Sequence, residues 1–222
     1  MALKVLMAAT GIIFVLFLLF HMYGNLKMLL GPEAFNHYAH WLQNDLLYPI
    51  LGHKWAVWIM RVGLLLCIVL HMYSAITLWR RAGKARGSAY KVNTGKKVRA
   101  GQTYTSVLMR WGGILIAVWL VFHILQFTAL KASVGAEDYA LLEPYDRVVA
   151  GFSVWWVWLF YLLAMIAVAY HVRHGVWSAL ATLGLSNRKR EMIFKITGDL
   201  VAFALLFGFM LPPTLILFGV IS

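Results

Sequence analysis

The chain has 222 residues, of which 62% are hydrophobic and 13% are charged, and its formal net charge is +12. Soluble domains are about 45–50% apolar and about 25% charged, so this composition excludes an ordinary soluble domain. The basic residues lie in short connections between apolar segments, which indicates membrane topology and no role in binding nucleic acid. The single cysteine, Cys67, excludes an intramolecular disulfide and a cluster held by cysteines of this chain.

Five segments are long enough to cross a bilayer as helices, which takes about 20 apolar residues each. They cover residues 5–25, 55–79, 107–130, 152–177 and 196–221. The first is too long for the apolar part of a signal peptide, so we interpret it as a retained span. Continuous apolar segments of this length are typical of helices. The sequence therefore predicts an all-α integral membrane protein, a bundle of five transmembrane helices that forms one domain over residues 1–222.

The distribution of Lys and Arg predicts the orientation of these spans. The second connection has no acidic residue and carries Arg80, Arg81, Lys84, Arg86, Lys91, Lys96, Lys97, Arg99 and Arg110. The fourth connection is also basic, whereas the third has an acidic excess. Because cytoplasmic connections are enriched in Lys and Arg, we expect the second and fourth connections in the cytoplasm. The N-terminus is then cytoplasmic and the C-terminus lies outside.

Each of the first four spans contains a histidine late in its length: His21, His71, His123 and His171, with His174 also near the inner end of the fourth span. At 1.5 Å per residue, the first three lie about 24 Å past the start of their helix, and His171 about 28 Å. Since alternate spans run in opposite directions, His21 and His123 are expected near the outer face, and His71 and His171 near the inner face. Two imidazoles from different helices at equal depth are what a bis-histidine haem requires. A hydrogen-bonded packing role or a proton relay is the alternative for any one of them.

Three arginines are candidate partners for haem propionates. Arg61 lies within the second span, ten residues before His71, where an unpaired charge is costly. By depth we assign it to the outer haem. Arg110 and Arg173 lie near the inner face and are assigned to the inner haem, with snorkelling to the interface as the alternative.

The segment Tyr170-His171-Val172-Arg173-His174-Gly175-Val176-Trp177-Ser178-Ala179-Leu180-Ala181-Thr182-Leu183-Gly184 resembles one family of membrane proteins. That family is the five-helix, di-haem cytochrome b subunit of bacterial succinate dehydrogenases and fumarate reductases. Phe20-His21 with Gly24-Asn25, and His71-Met72-Tyr73, are similar to its first- and second-helix ligand positions. The resemblance extends over essentially the whole chain.

The resemblance implies two haem b groups, with His21 and His123 binding the haem distal to the catalytic subunits and His71 and His171 binding the proximal one. It implies a flavoprotein subunit with FAD and an iron–sulfur subunit with its clusters, which the basic second connection would help to dock. The dicarboxylate active site would lie on those subunits, so no catalytic residue is assigned here. The location implied is the bacterial cytoplasmic (inner) membrane, with several passes through the lipid. Whether the whole complex forms a higher oligomer stays open.

The function expected is electron transfer between the iron–sulfur subunit and a membrane quinone, for which we expect menaquinone. Quinone reduction takes up protons, and the candidate groups on the outer side are Tyr23, His37, His40, His53 and Lys54; Asp199 lies near the inner end of the fifth span. Two alternatives stay open. One is the di-haem b anchor of a hydrogenase or formate dehydrogenase. The other is a haem-free transporter, against which the absence of an internal repeat argues.

Overall fold

The computed structural model describes the backbone of residues 1–84, 96–187 and 189–222, and the side chains of these residues except 96–106. Seven α-helices follow one another and no strand occurs in these ranges: α1 (Ala2–Leu26), α2 (Pro32–Asn44), α3 (Trp55–Lys84), α4 (Lys96–Phe127), α5 (Pro144–Phe152), α6 (Trp155–Thr182) and α7 (Arg190–Leu217). A short 3₁₀ turn, Lys27–Leu30, extends α1. The side chains from Arg86 to Arg99, and Arg188, lie outside the described residues, so much of the basic second connection does too.

Five of the helical segments are long and apolar enough to cross a membrane: Ala2–Leu30, Trp55–Lys84, Val107–Phe127, Trp155–Thr182 and Arg190–Leu217. They confirm the prediction of an all-α protein with five membrane-spanning helices. The boundaries differ from the predicted ones by a few residues. The third span ends three residues early, at Phe127, and the fourth begins at Trp155 because Ser153 and Val154 separate it from α5.

Glycines end both of the last two spanning helices. Gly184 follows α6 with φ +78°, and Gly219 follows α7 with φ +70°. After each glycine, the next backbone N–H returns to a carbonyl five residues earlier: Leu185 donates to Leu180, and Val220 donates to the carbonyl of residue 215. This is the Schellman arrangement, which a glycine accommodates without steric cost. It explains why α7 ends at Leu217, four residues before the predicted boundary.

The spans pack unevenly around a core that α6 dominates. Helix α7 lies along α6 over most of its length, α1 packs on α3, α6 and α7, and α4 packs on α6. Within the described residues, the diagonal pairs α1/α4 and α3/α6 make few close backbone contacts. The diagonal helices therefore face each other mainly through their side chains.

Two short helices, α2 and α5, lie together at one end of the bundle, called here the α2/α5 end. The Asn36 side-chain oxygen accepts a hydrogen bond of 2.9 Å from the backbone N–H of Tyr145, in the first turn of α5. That contact satisfies a donor that the start of a helix otherwise leaves free. The sequence analysis did not predict these helices, because both are too short to register as spans.

Candidate functional site: two histidine pairs inside the bundle

The first pair joins the diagonal helices α1 and α4. The ring centres of His21 and His123 are 5.9 Å apart, and their planes are at 81°. Aromatic side chains fix both rings: Phe17 stacks on His21 with ring centres 5.3 Å apart, and Trp119 stacks on His123 at 5.2 Å. Phe209 of α7 closes the site from the side, 5.7 Å from His21.

The second pair joins the other diagonal, α3 and α6. The ring centres of His71 and His171 are 6.3 Å apart, with 55° between their planes. Each ring faces a glycine on a neighbouring helix. A Cβ added at Gly11 would lie 3.7 Å from Cε1 of His71, and one added at Gly113 would lie 3.8 Å from Cε1 of His171. The four histidines of the predicted site thus come together as two pairs.

Three helices give the same distance between the pairs. Thr10, beside His71, precedes His21 by eleven residues on α1; Gly113, beside His171, precedes His123 by ten on α4. On α6, Tyr161, beside His123, precedes His171 by ten. At 1.5 Å per residue these intervals of ten or eleven residues correspond to about 15–17 Å along the bundle. The His21–His123 pair lies toward the α2/α5 end and the other pair toward the opposite end.

Hydroxyl groups orient one histidine of each pair. The Thr10 Oγ1 lies 3.0 Å from Nδ1 of His71, and its own proton is donated to the backbone carbonyl of Leu6 at 2.8 Å. The oxygen therefore accepts from His71 Nδ1–H, since a hydroxyl has one proton and two lone pairs. Nε2 of His71 is then the nitrogen with a free lone pair.

The second hydroxyl belongs to Tyr161. It donates to Oε1 of Gln126 at 2.9 Å, and its oxygen lies 3.2 Å from Nδ1 of His123. By the same reasoning the oxygen accepts from His123 Nδ1–H, which leaves Nε2 unprotonated. Metal-binding histidines commonly have this arrangement, with the ring nitrogen that is not a ligand donating to an oxygen.

The geometry of each pair fits a metal that takes two ligands from the protein and the others from a bound organic ring. Two imidazoles on one metal have ring centres about 6 Å apart, given metal–nitrogen bonds of about 2 Å, and the two pairs measure 5.9 and 6.3 Å. No group of three or more His, Cys, Asp or Glu that could hold a metal ion occurs in the described part of the chain. A simple zinc site takes four ligands, usually three or four of them from protein. Two ligands suit a haem, whose ring supplies the others.

Arg61, predicted to meet an outer propionate, lies at the depth of the His21–His123 pair. Thr10 is level with His71 on the antiparallel helix, so residues near 60 on α3 are level with His21. The Arg61 guanidinium packs over the ring of Trp58, 5.2 Å from its centre. Together with Lys54 and the amides of Gln43 and Asn44 it lines a polar cavity of about 140 Å³.

The other two arginines lie near the opposite end and have partners on neighbouring helices. Arg110 packs its guanidinium over Trp79 of α3, 5.1 Å from the ring centre. Arg173 forms an ion pair with Asp199 of α7, and both side chains are about half exposed. A Cβ at Gly198 would lie 2.7 Å from the Arg173 carbonyl oxygen, so the two helices are in close contact there. That these arginines serve an inner haem stays a prediction.

The structure spreads out the predicted quinone-site residues. Tyr23 is exposed beside Lys27, whose Nζ lies 5.0 Å from the Tyr23 ring centre, and His37 and His40 are exposed on α2. His53 contacts Asp45 at 3.0 Å and stacks on Tyr48. Lys54 shares the cavity with Arg61. No single cluster in the described residues unites them.

Thr10, Tyr161 and Gln126 are the functional candidates that sequence reasoning missed. Gln126 is fully buried, and so is Tyr139 from the third connection, which lies close to it. Burial raises the pKa of Tyr139 to about 12. A signal existed in the sequence: each is a polar residue within or next to a long apolar segment, where polar groups carry a cost unless they have a partner.

The fold and site define a class: a multi-pass, all-helical membrane protein with paired histidines between diagonal helices. No protein-family model matches the chain, and no solved structure matches it. A curated protein does: the succinate dehydrogenase cytochrome b558 subunit of Bacillus subtilis (strain 168) is 26% identical over 193 residues, which are 86% of this chain and 83% of that protein. This similarity, together with the five spans, supports a succinate dehydrogenase cytochrome b membrane subunit in a bacterial membrane, as the sequence predicted.

Proposed function

We propose that this chain is the di-haem membrane anchor of a succinate:quinone oxidoreductase. His21 and His123 would hold one haem b, and His71 and His171 the other. The observation that carries the proposal is the meeting of two histidine pairs, each across a bundle diagonal, at the ring spacing of two imidazoles on one metal. The similarity to a named cytochrome b subunit over most of its length supports the same assignment.

When bound, the haems supply one-electron chemistry between the iron–sulfur subunit and a quinone, proposed to be menaquinone. The chain's residues provide the binding sites. Thr10 and Tyr161 accept hydrogen bonds from the Nδ1 atoms of His71 and His123, which leaves the two Nε2 lone pairs for metal. Phe17 and Trp119 stack on the rings of the His21–His123 pair and keep water away from it. FAD and the iron–sulfur clusters belong to partner subunits in this proposal.

The proposed orientation has the N-terminus and the opposite end of the bundle in the cytoplasm, with the α2/α5 end outside. We expect a membrane-impermeant maleimide to label His53→Cys in intact spheroplasts, in a Cys67→Ser background, and to label Arg81→Cys only after the membrane is opened. Both positions are exposed and lie at opposite ends of α3. Labelling of residue 81 but not 53 in intact spheroplasts contradicts the orientation.

The function is tested by purifying the complex through an affinity tag on this chain. We expect a flavoprotein and an iron–sulfur protein to co-purify, and the dithionite-reduced minus oxidised spectrum to give two b haems per chain. Succinate added in place of dithionite should reduce part of that haem, because the partner subunits would deliver the electrons. A purified chain without haem refutes the proposal. Haem with a hydrogenase or formate dehydrogenase subunit as the partner contradicts the assigned complex.

A further inference from the structure

We propose that Thr10 and Tyr161 are positioning residues that set the redox balance of the two haems separately, each through one ligand histidine. The inference rests on the proposed function, since it concerns the histidines assigned there to haem. It goes beyond it by naming two side chains that touch neither metal nor macrocycle in this proposal and act only through Nδ1 of His71 and of His123.

Thr10 is nearly fully buried, with 3% of its surface exposed, so no solvent competes for its hydroxyl. Its oxygen is within 2.8 Å of the Leu6 carbonyl and 3.1 Å of the Met7 carbonyl, both on the preceding turn of α1. These contacts hold the hydroxyl proton on the backbone and direct a lone pair at His71, 3.0 Å away. A rigid helix thus presents an acceptor at a fixed place to a ring on another helix.

Tyr161 forms the same arrangement at the His21–His123 pair. It is 5% exposed, it donates to Gln126, and its oxygen faces Nδ1 of His123 at 3.2 Å. Gln126 is itself fully buried, so it holds the phenol proton in place of water. Each pair therefore has one ring held by a hydroxyl that is committed elsewhere as a donor.

The inner pair is asymmetric. Nδ1 of His171 is buried and has no hydrogen-bond partner among the described residues, whereas Nδ1 of His71 has Thr10. An acceptor on Nδ1–H makes the imidazole a more basic ligand. A more basic ligand stabilises the oxidised metal more than the reduced metal. The Thr10 contact is then expected to favour oxidised haem at the His71–His171 site.

The test is Thr10→Val, which keeps the shape of the side chain and removes the hydroxyl, in the purified complex. At the potential that half-reduces the inner haem of the parent, we expect the ratio of reduced to oxidised inner haem to rise about threefold, the scale of one hydrogen bond. The outer haem should not change. Tyr161→Phe should raise the ratio of reduced to oxidised haem at the outer site in the same way and leave the inner haem unchanged. The readout is a potentiometric titration followed at the haem absorption bands.

Two further variants separate a hydroxyl effect from a packing effect. Thr10→Ser restores the hydroxyl and should return the inner haem to the parent ratio. Thr197→Val is the control for loss of a helical threonine hydroxyl, since Thr197 of α7 donates to the carbonyl four residues back as Thr10 does but has no hydrogen bond to a histidine in the described residues. It should leave both haems unchanged. If Thr10→Val loses the inner haem and Thr10→Ser recovers it, the positioning role is also supported.

Three results overturn the inference while leaving the proposed function intact: a parent complex with two haems in which Thr10→Val titrates like Thr197→Val, an equal shift of both haems in Thr10→Val, or haem loss that Thr10→Ser does not repair. A parent complex with no haem is a different result, because it refutes the proposed function before any variant is compared.

Discussion

Replacing His71 with Ala is expected to reduce the haem content from two to one per chain. The change removes one of two protein ligands at its site, and no third His, Cys, Asp or Glu stands ready in the described residues to replace it. The His21–His123 pair, about 15 Å away along the bundle, should keep its haem. The measurement is the haem content of the purified complex from its reduced spectrum, normalised to chain.

The pairing makes a sharper prediction for double variants. His71→Ala/His171→Ala should still contain one haem, since both residues serve the same site, whereas His71→Ala/His21→Ala should contain none. His174→Ala is the matched control: His174 lies on the same helix three residues after His171 and packs against Trp177 instead, with ring centres 5.8 Å apart. One haem left in the His71/His21 double variant means that the histidines do not pair in this way.

A second large effect is expected at Gly135, in the third connection. Its φ is +87°, and a Cβ built there would overlap the carbonyl group of Ala150 in α5. Gly135→Ala combines backbone strain with an overlap that a rigid helix backbone cannot relieve, so we expect a loss of about 2 kcal/mol or more. The apparent melting temperature of the purified complex should fall by about 5 °C or more.

Two control substitutions separate the causes of this loss. Gly184 also has a positive φ, +78°, but no atom of the described residues would contact its Cβ, so Gly184→Ala tests strain alone at about 1 kcal/mol. Gly83, in the last turn of α3, has neither feature among the described residues, so Ala there should be neutral or slightly stabilising, as alanine is the better helix former. If Gly135→Ala melts no lower than Gly184→Ala, the close approach of the third connection to α5 does not contribute to stability.

The spans and the depths of the histidines follow from the sequence because a bilayer restricts the possibilities. Helix length is set by the hydrocarbon thickness, successive spans alternate in direction, and the rise per residue converts position into depth. That reasoning put His21 with His123 and His71 with His171, and these rings lie 5.9 and 6.3 Å apart. Their role as haem ligands stays a prediction.

Depth does not say which way a side chain points, and this is where sequence reasoning stopped. Thr10 is level with His71, but its contact with Nδ1 depends on the rotation of α1 about its axis, which packing decides. Arg173 was assigned to a haem, and its ion pair with Asp199 depends on the close approach of α6 and α7 at Gly198. Helices α2 and α5 were not predicted, because the length criterion that identifies a membrane span does not apply to helices outside the lipid.

The uneven packing of the spans has a consequence for biogenesis. Helices α6 and α7 bury much of their length against each other, whereas α3 is mostly exposed and packs chiefly against α1. Helices that insert separately associate afterwards according to the contacts they can make. The α6–α7 hairpin is therefore expected to form early and to resist proteolysis. Helix α3 is expected to pack onto the bundle last. A prosthetic group bound by both His71 and His171 would link α3 to α6. Insertion of that group is then expected to be a late step that completes the folding of the subunit.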